Sequence, residues 1–258
     1  MGCLGVTPDP DDPVDPDEPV VPVSVAPVIE EIGDINLYSS ATQYMNEGQI
    51  ENGILVKGFA PKYSKVQVYI DGVVAGIGYS YGVNETFTVF VSKANLGADG
   101  EKSLGATATE TGLVESACSI EYKFTLDTVA PEIEKVTAEV DKLHIHLLTV
   151  TATFSEELAK VTAEDKEDWT ATFGILEIDV LTAELISAKV VELEVDCGAL
   201  LPGVGTVIRV AYEDYLGEDE DDPNDPTPIK DLAGNPAVES VEYCYAELEE
   251  RRISKIII

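Results

Sequence analysis

The chain has 258 residues and carries 49 Asp and Glu against 16 Lys and Arg, a formal net charge of −33. With only three arginines there is no basic stripe to displace counterions from nucleic-acid phosphates, and electrostatic attachment to anionic lipid is excluded on the same ground. A hydrophobic content of 45% argues against disorder throughout, and no run approaches the roughly 18 apolar residues of a membrane-spanning helix.

Residues 1–27 hold seven of the fourteen prolines and no Lys or Arg. Proline fixes φ and removes donors, while the acids between Asp9 and Glu18 repel one another, so this stretch reads as an extended acidic tether. Its last part, Val20–Pro27, alternates and is β-branched, which suits a proline-tolerant edge strand. The start has no positive n-region and no apolar h-region. Met1-Gly2-Cys3 ahead of the Pro/Asp run resembles the beginning of a mature bacterial lipoprotein, which makes Cys3 a candidate for lipidation and a lipid anchor. An unprocessed start on a virion component is the competing expectation.

From residue 28 to 130 the pattern is all-β. Ile54–Pro61, Lys65–Ile70, Thr86–Val91, Leu104–Thr109 and Ser119–Leu126 read as short strands, several with clean period-two alternation. Asp71-Gly72 is a two-residue hairpin signal, with Val73–Gly76 as the return strand. Gly76–Gly82 reads as a Gly/Tyr loop whose Tyr79 and Tyr81 are candidate partner or glycan contacts. A second module spans 131–245, with strands at Val150–Phe154, Trp169–Phe173, Val190–Val195, Thr206–Tyr212 and Val238–Tyr245. His144 and His146 lie two apart on an expected strand and would share one face. The tail 246–258 ends in Ile256-Ile257-Ile258, an apolar terminus that either packs on its own domain or adds as a strand to a neighbouring subunit.

Two sets of motifs carry a resemblance. Val56-Lys57-Gly58-x-Ala60-Pro61, Val66-x-Val68-Tyr69-Ile70-Asp71-Gly72 and Leu126-Asp127-Thr128-Val129-Ala130-Pro131 resemble a bacterial Ig-like repeat and its inter-module junction. Val150-Thr151-Ala152-Thr153-Phe154-Ser155-Glu156-Glu157-Leu158 and Asp231-Leu232-Ala233-Gly234-Asn235 resemble an Ig-like domain of S-layer proteins, with Glu157 where that family usually has proline. The resemblance implies two tandem Ig-like β-sandwiches behind an N-terminal arm. It also implies a non-enzymatic structural subunit of an extracellular surface assembly such as an S-layer or fibre. A virion decoration or tail protein and a glycan- or protein-binding adhesin are the alternatives, and the expected partners are further copies or other surface or virion proteins.

No catalytic constellation stands out. Glu192 and Glu194 and similar strand acids offer no distinguished pair for acid–base work, and no Gly-x-Ser-x-Gly elbow is present. The densest carboxylate cluster is the loop Gly217–Pro226, where Asp219, Asp221, Asp222, Asn224 and Asp225, with Asp231 after them, supply the oxygen ligands that calcium takes. That loop lacks EF-hand spacing, and the alternative is a solvated insertion. Asp127, at the expected junction, is a weaker candidate. Of four cysteines, Cys118 and Cys197 read as small buried strand residues, and a Cys197–Cys244 disulfide is an open alternative.

Overall fold

The structure is a computed structural model, described for residues 22–35, 37, 43–83, 85–141, 144, 146–160, 166–200, 206–212 and 229–248. The architecture is all-β, in two units, Met1–Val129 and Ala130–Ile258.

Unit 1 contains β1 (Val28–Ile32), β2 (Tyr44–Met45), β3 (Ile54–Phe59), β4 (Lys65–Ile70), β5 (Val73–Tyr81), β6 (Thr86–Val91), β7 (Gly100–Thr109) and β8 (Tyr122–Leu126), with single helical turns α1 (Glu47–Ile50) and α2 (Lys93–Leu96). The strand order is β1-β3-β6-β5-β4-β7-β8-β2. Alternation sets the layers: β4 and β6 bury every second residue, and Val56, Val66, Val68, Val89, Val91 and Leu104 are fully enclosed. The Asp71-Gly72 hairpin forms as expected, with both residues at positive φ (50° and 81°), the geometry of a type I′ turn. Asp71 Oδ1 also accepts from Ser103 N at 2.9 Å, which fixes the hairpin to β7.

Two expectations change here. The Gly/Tyr segment is no loop, because Gly76–Tyr81 is the second half of β5. Its glycines are there for close packing. A Cβ on Gly76 would lie 2.6 Å from the Phe90 carbonyl oxygen, and one on Gly78 would lie 2.9 Å from Val89 Cγ2. The edge strand expected over Val20–Pro27 is, within the described residues, one parallel bridge between Val23 and Val114. Prolines on either side limit how far pairing can extend.

Unit 2 contains β9 (Ile133–Val140), β10 (Leu147–Phe154), β11 (Trp169–Phe173), β12 (Leu176–Ser187), β13 (Val190–Asp196), β14 (Val207–Tyr212) and β15 (Ser240–Leu248). These strands close on themselves in the order β10-β13-β12-β11-β14-β15-β9. Closure is made by the three residues Ala138–Val140. They pair antiparallel with Leu148–Val150 and also parallel with Ala246–Leu248. The first residues of the expected tail are therefore the end of β15, while Ile256, Ile257 and Ile258 lie outside the described residues. The core centres on Trp169, whose ring meets Phe154 edge-on at 6.3 Å and Tyr212 at 5.5 Å.

Candidate functional site

The carboxylate loop is reached only at its far end. Asp219, Asp221, Asp222, Asn224 and Asp225 lie outside the described residues, and Asp231 is the one member of that ligand set inside them. Asp231 is 2% exposed and organises its own turn. Its Oδ1 accepts from Gly234 N at 2.7 Å and Asn235 N at 2.9 Å, and its Oδ2 accepts from Asn235 Nδ2 at 2.8 Å. Gly234 takes φ of 91°, which a side chain would resist. Asn235 serves by donating to the carboxylate; it does not take the left-handed backbone that Asn tolerates in turns.

The turn is clamped to the β10–β11 connection. Asp231 forms an antiparallel bridge with Leu158, and Ala159 N donates to Lys230 O at 2.7 Å. This brings Glu156, half-buried in the Ser155-Glu156-Glu157 turn, alongside Asp231, with a carboxylate oxygen of each within 4.8 Å. Two oxygens ligating one calcium at about 2.3–2.6 Å stand no more than about 5 Å apart, so the spacing suits a shared cation. The pair offers two of the six to eight oxygens that calcium takes. Asp127 closes unit 1, where its N–H donates to Met45 O and its Oδ1 accepts from Val129 N.

A second candidate surface is the outer side of β3, β6 and β5. Successive residues on a strand point to opposite faces, so Leu55, Phe59, Tyr79, Tyr81 and Phe90 share the solvent side while Val56, Phe87, Val89 and Ser80 fill the interior. Leu55 pairs directly with Phe90, and Thr86 stands between Phe59 and Tyr81 in one cross-strand row. All five are 38–61% exposed, and the Tyr79 and Tyr81 rings lie 6.4 Å apart, tilted by 52°.

The cysteines divide differently from the expectation. Cys197 and Cys244 are buried free thiols, so the possible bridge between them is not formed. Burial raises both thiols to about 11, with Asp196 adding to the effect at Cys197. Cys118 is no buried strand thiol: it sits half-buried in the connection between β7 and β8 and is disulfide-bonded. Cys3 lies outside the described residues. His144 and His146 precede β10 and are not on it; His144 N donates to Asp141 Oδ1 at 3.0 Å, and the two imidazoles meet edge-on at 6.2 Å.

Sequence reasoning missed Tyr212 as a clasp. Its side chain is fully buried, and its hydroxyl oxygen accepts from Ile229 N at 2.9 Å, joining the end of β14 to the segment that leads into the Asp231 turn. A tyrosine closing a strand gives no sign of this without the fold.

No protein-family model and no curated protein matches the chain. Among solved structures, similarity is found to a 1.5-MDa bacterial ice-binding adhesin studied for host cell surface retention, at 16% identity and a TM-score of 0.41 over 86% of this chain. A tetra-tandem repeat from the extending region of a large adhesion protein matches at 12% identity and 0.31 over 87%. The FN1–FN3 domains of chicken CNTN1 match at 12% and 0.36 over 88%. The matches span 63%, 50% and 67% of those three chains, so this chain falls short of two thirds of the first two.

Proposed function

We propose that the protein is a non-enzymatic structural module of an extracellular surface assembly, built from two Ig-like units that supply rigid length and a contact face. The observation that supports this most directly is the outer face of unit 1. Leu55, Phe59, Tyr79, Tyr81 and Phe90 stand together on a regular sheet and remain exposed. Aromatic residues are enriched where proteins meet, and Phe59, Tyr79, Tyr81 and Phe90 all stand exposed on this one sheet face. Within this reading the −33 charge keeps unassembled copies apart.

Divalent cations belong to the proposal as the means of bringing acidic copies together, with Asp231 and Glu156 as the described ligands and the Asp219–Asp225 loop as the remainder. Electron microscopy and light scattering of the purified full chain, with and without millimolar calcium, test both parts. Regular polymers or arrays that a chelator loosens are expected. A chain that stays monomeric at high concentration in either condition overturns the assembly reading. An assembly indifferent to chelator and ionic strength removes the cation from it.

The exposed tyrosines favour one second reading, a ligand-binding adhesin. Replacing Tyr79 and Tyr81 together by serine separates the two. Loss of self-association with no change in glycan binding supports assembly, whereas loss of saturable glycan binding by a monomer supports the adhesin.

A further inference from the structure

Residues 52–98 carry four lysines against two acids, Asp71 and Glu85, so the whole acidic excess of the chain lies outside them. The exposed aromatic face of unit 1 falls inside this stretch, and it reaches beyond its five members. Lys65 pairs with Tyr79 across β4 and β5 and sits on the outward alternation of β4, so the two share a side. Tyr63 stands beside them: its N–H donates to Ser80 O at 3.2 Å, and Lys62 Nζ lies 4.9 Å from the centre of its ring.

Tyr63 is also strained. Its φ of 61° is in the left-handed region that suits glycine and is an outlier for a bulky side chain. The turn around it is over-determined. Pro61 O accepts from Ser64 N at 3.1 Å, from Ser64 Oγ at 2.6 Å and from Ser80 Oγ, and both serines are fully buried. The ring held in this way is 63% exposed. Folding gains nothing from an aromatic ring in water at a strained position, so the strain marks a contact.

Unit 2 carries the opposite surface. On the outer side of its β9, β10, β13 and β12, Thr149 lies between Glu139 and Glu194 in one row, and Glu192 lies between Thr151 and Glu184 in the next. Asp179 and Asp196 are directly opposed in a further row. Like charges placed opposite across a ladder are destabilising. Among the described residues no lysine or arginine pairs with Glu184, Glu192 or Glu194.

We propose that the aromatic and lysine face of unit 1 docks on this acidic sheet face of unit 2 in a second copy of the chain. The inference rests on the assembly reading and names the partner surface within it. Lys62 and Lys65 neutralise carboxylates that otherwise repel one another, the tyrosine hydroxyls donate to others, and the threonines between them leave a level surface for the rings. Charge selects this pairing. Two unit 2 faces would bring carboxylate to carboxylate, and two unit 1 faces would bring lysine to lysine. Because the two surfaces differ, each copy in a contact keeps one of them free, and growth continues as a filament or a ring.

Sedimentation velocity of the full chain in millimolar calcium tests this with two charge reversals. Lys62→Glu with Lys65→Glu should weaken self-association by roughly tenfold or more, and so should Glu192→Lys with Glu194→Lys. The second pair separates docking from general repulsion. It takes the net charge from −33 to −29, so repulsion alone would make association stronger. It also relieves the Glu184–Glu192 opposition, so the Trp169-monitored transition of unit 2 should rise, which rules out misfolding as the cause of the loss. A chain carrying all four reversals should associate again. Tyr63→Gly should raise the stability of unit 1, since glycine accepts the positive φ, and still weaken association. Association unchanged or strengthened in Glu192→Lys with Glu194→Lys, or no recovery in the fourfold variant, overturns this docking while the assembly reading stands. A wild-type chain that stays monomeric overturns both.

Discussion

The two units solve the same edge problem in different ways. In unit 2 a single strand, β9, pairs on both sides with the same three residues and closes the barrel. In unit 1 that task is split. β1 pairs antiparallel with β3, and β2, which begins twelve residues after β1 ends, pairs in parallel with β8 through Tyr44 and Met45 alone. Unit 2 closes its strand order through those three residues, whereas unit 1 keeps β1 and β2 as ends of an open order. The exposed aromatic face is on unit 1 too.

The sharpest way to break this contrast is proline scanning of the two first-strand positions. Glu139 is exposed, so Glu139→Pro removes no packing, but β9 is hydrogen-bonded on both edges and any N–H lost there belongs to a ladder. A cost of about 3 kcal/mol or more is expected in unit 2. Tyr44→Pro should cost less than about 1 kcal/mol. The carbonyls of Gln43 and Met45 are the groups that accept from β8, so the Tyr44 N–H between them faces away from that ladder. The sole tryptophan, Trp169, lies in the unit 2 core, so its fluorescence reports unit 2 while circular dichroism reports both. Equal losses at the two positions would mean that the split strand closes unit 1 as firmly as β9 closes unit 2.

Next in size is a close approach peculiar to unit 1. A Cβ on Gly58 would fall 2.0 Å from Val28 O, so Gly58→Ala must push β1 off β3, at an expected cost of about 2–3 kcal/mol. Since β1 has no second neighbour, the loss should appear first as faster amide exchange in β1 and leave Trp169 fluorescence unchanged. In unit 2 the counterpart is the Asp231 turn. Asp231→Ala strips acceptors from two backbone amides and from Asn235 Nδ2, for about 2 kcal/mol. Asp231→Asn should recover part of that stability while still weakening calcium binding, which separates a capping carboxylate from a ligating one.

What was legible in the sequence follows from the same contrast. Strands with strict alternation, such as β4 and β6, and turns with fixed chemistry, such as Asp71-Gly72 and Asp231–Asn235, can be read because each residue's role is local. β12 was not readable. It is twelve residues long but buries only Ile178 and Ala183, five apart, and its register slips near Val180 and again near Leu185. Bulges of that kind erase the period-two signal. β5 was cut short for a related reason: glycines that look like loop residues are selected there by contact with Val89 and Phe90, a neighbour visible only in the fold. The candidate site divides in the same manner. Asp231 could be named from its turn motif, but its pairing with Glu156 depends on the Leu158 bridge, and Tyr212's clasp depends on a contact with Ile229 that only the fold reveals.

The buried thiols again distinguish the units. Cys197 and Cys244 both lie in unit 2 and are raised by burial to about 11, against an ordinary value near 9 in the unfolded chain. Below pH 9 the thiols are protonated in both states and cost nothing. Between about 9 and 11 the unfolded chain releases these protons while the folded chain keeps them, so folding binds protons and stability falls with rising pH. The loss should be about 1–2 kcal/mol per thiol by pH 11, read as a drop in the Trp169-monitored transition. Cys197→Ala with Cys244→Ala should flatten that slope in unit 2. Unit 1 has no free thiol among its described residues, so its transition should keep its slope in the double variant. A slope that survives the double substitution would trace the alkaline loss to other groups in unit 2 and detach it from thiol burial.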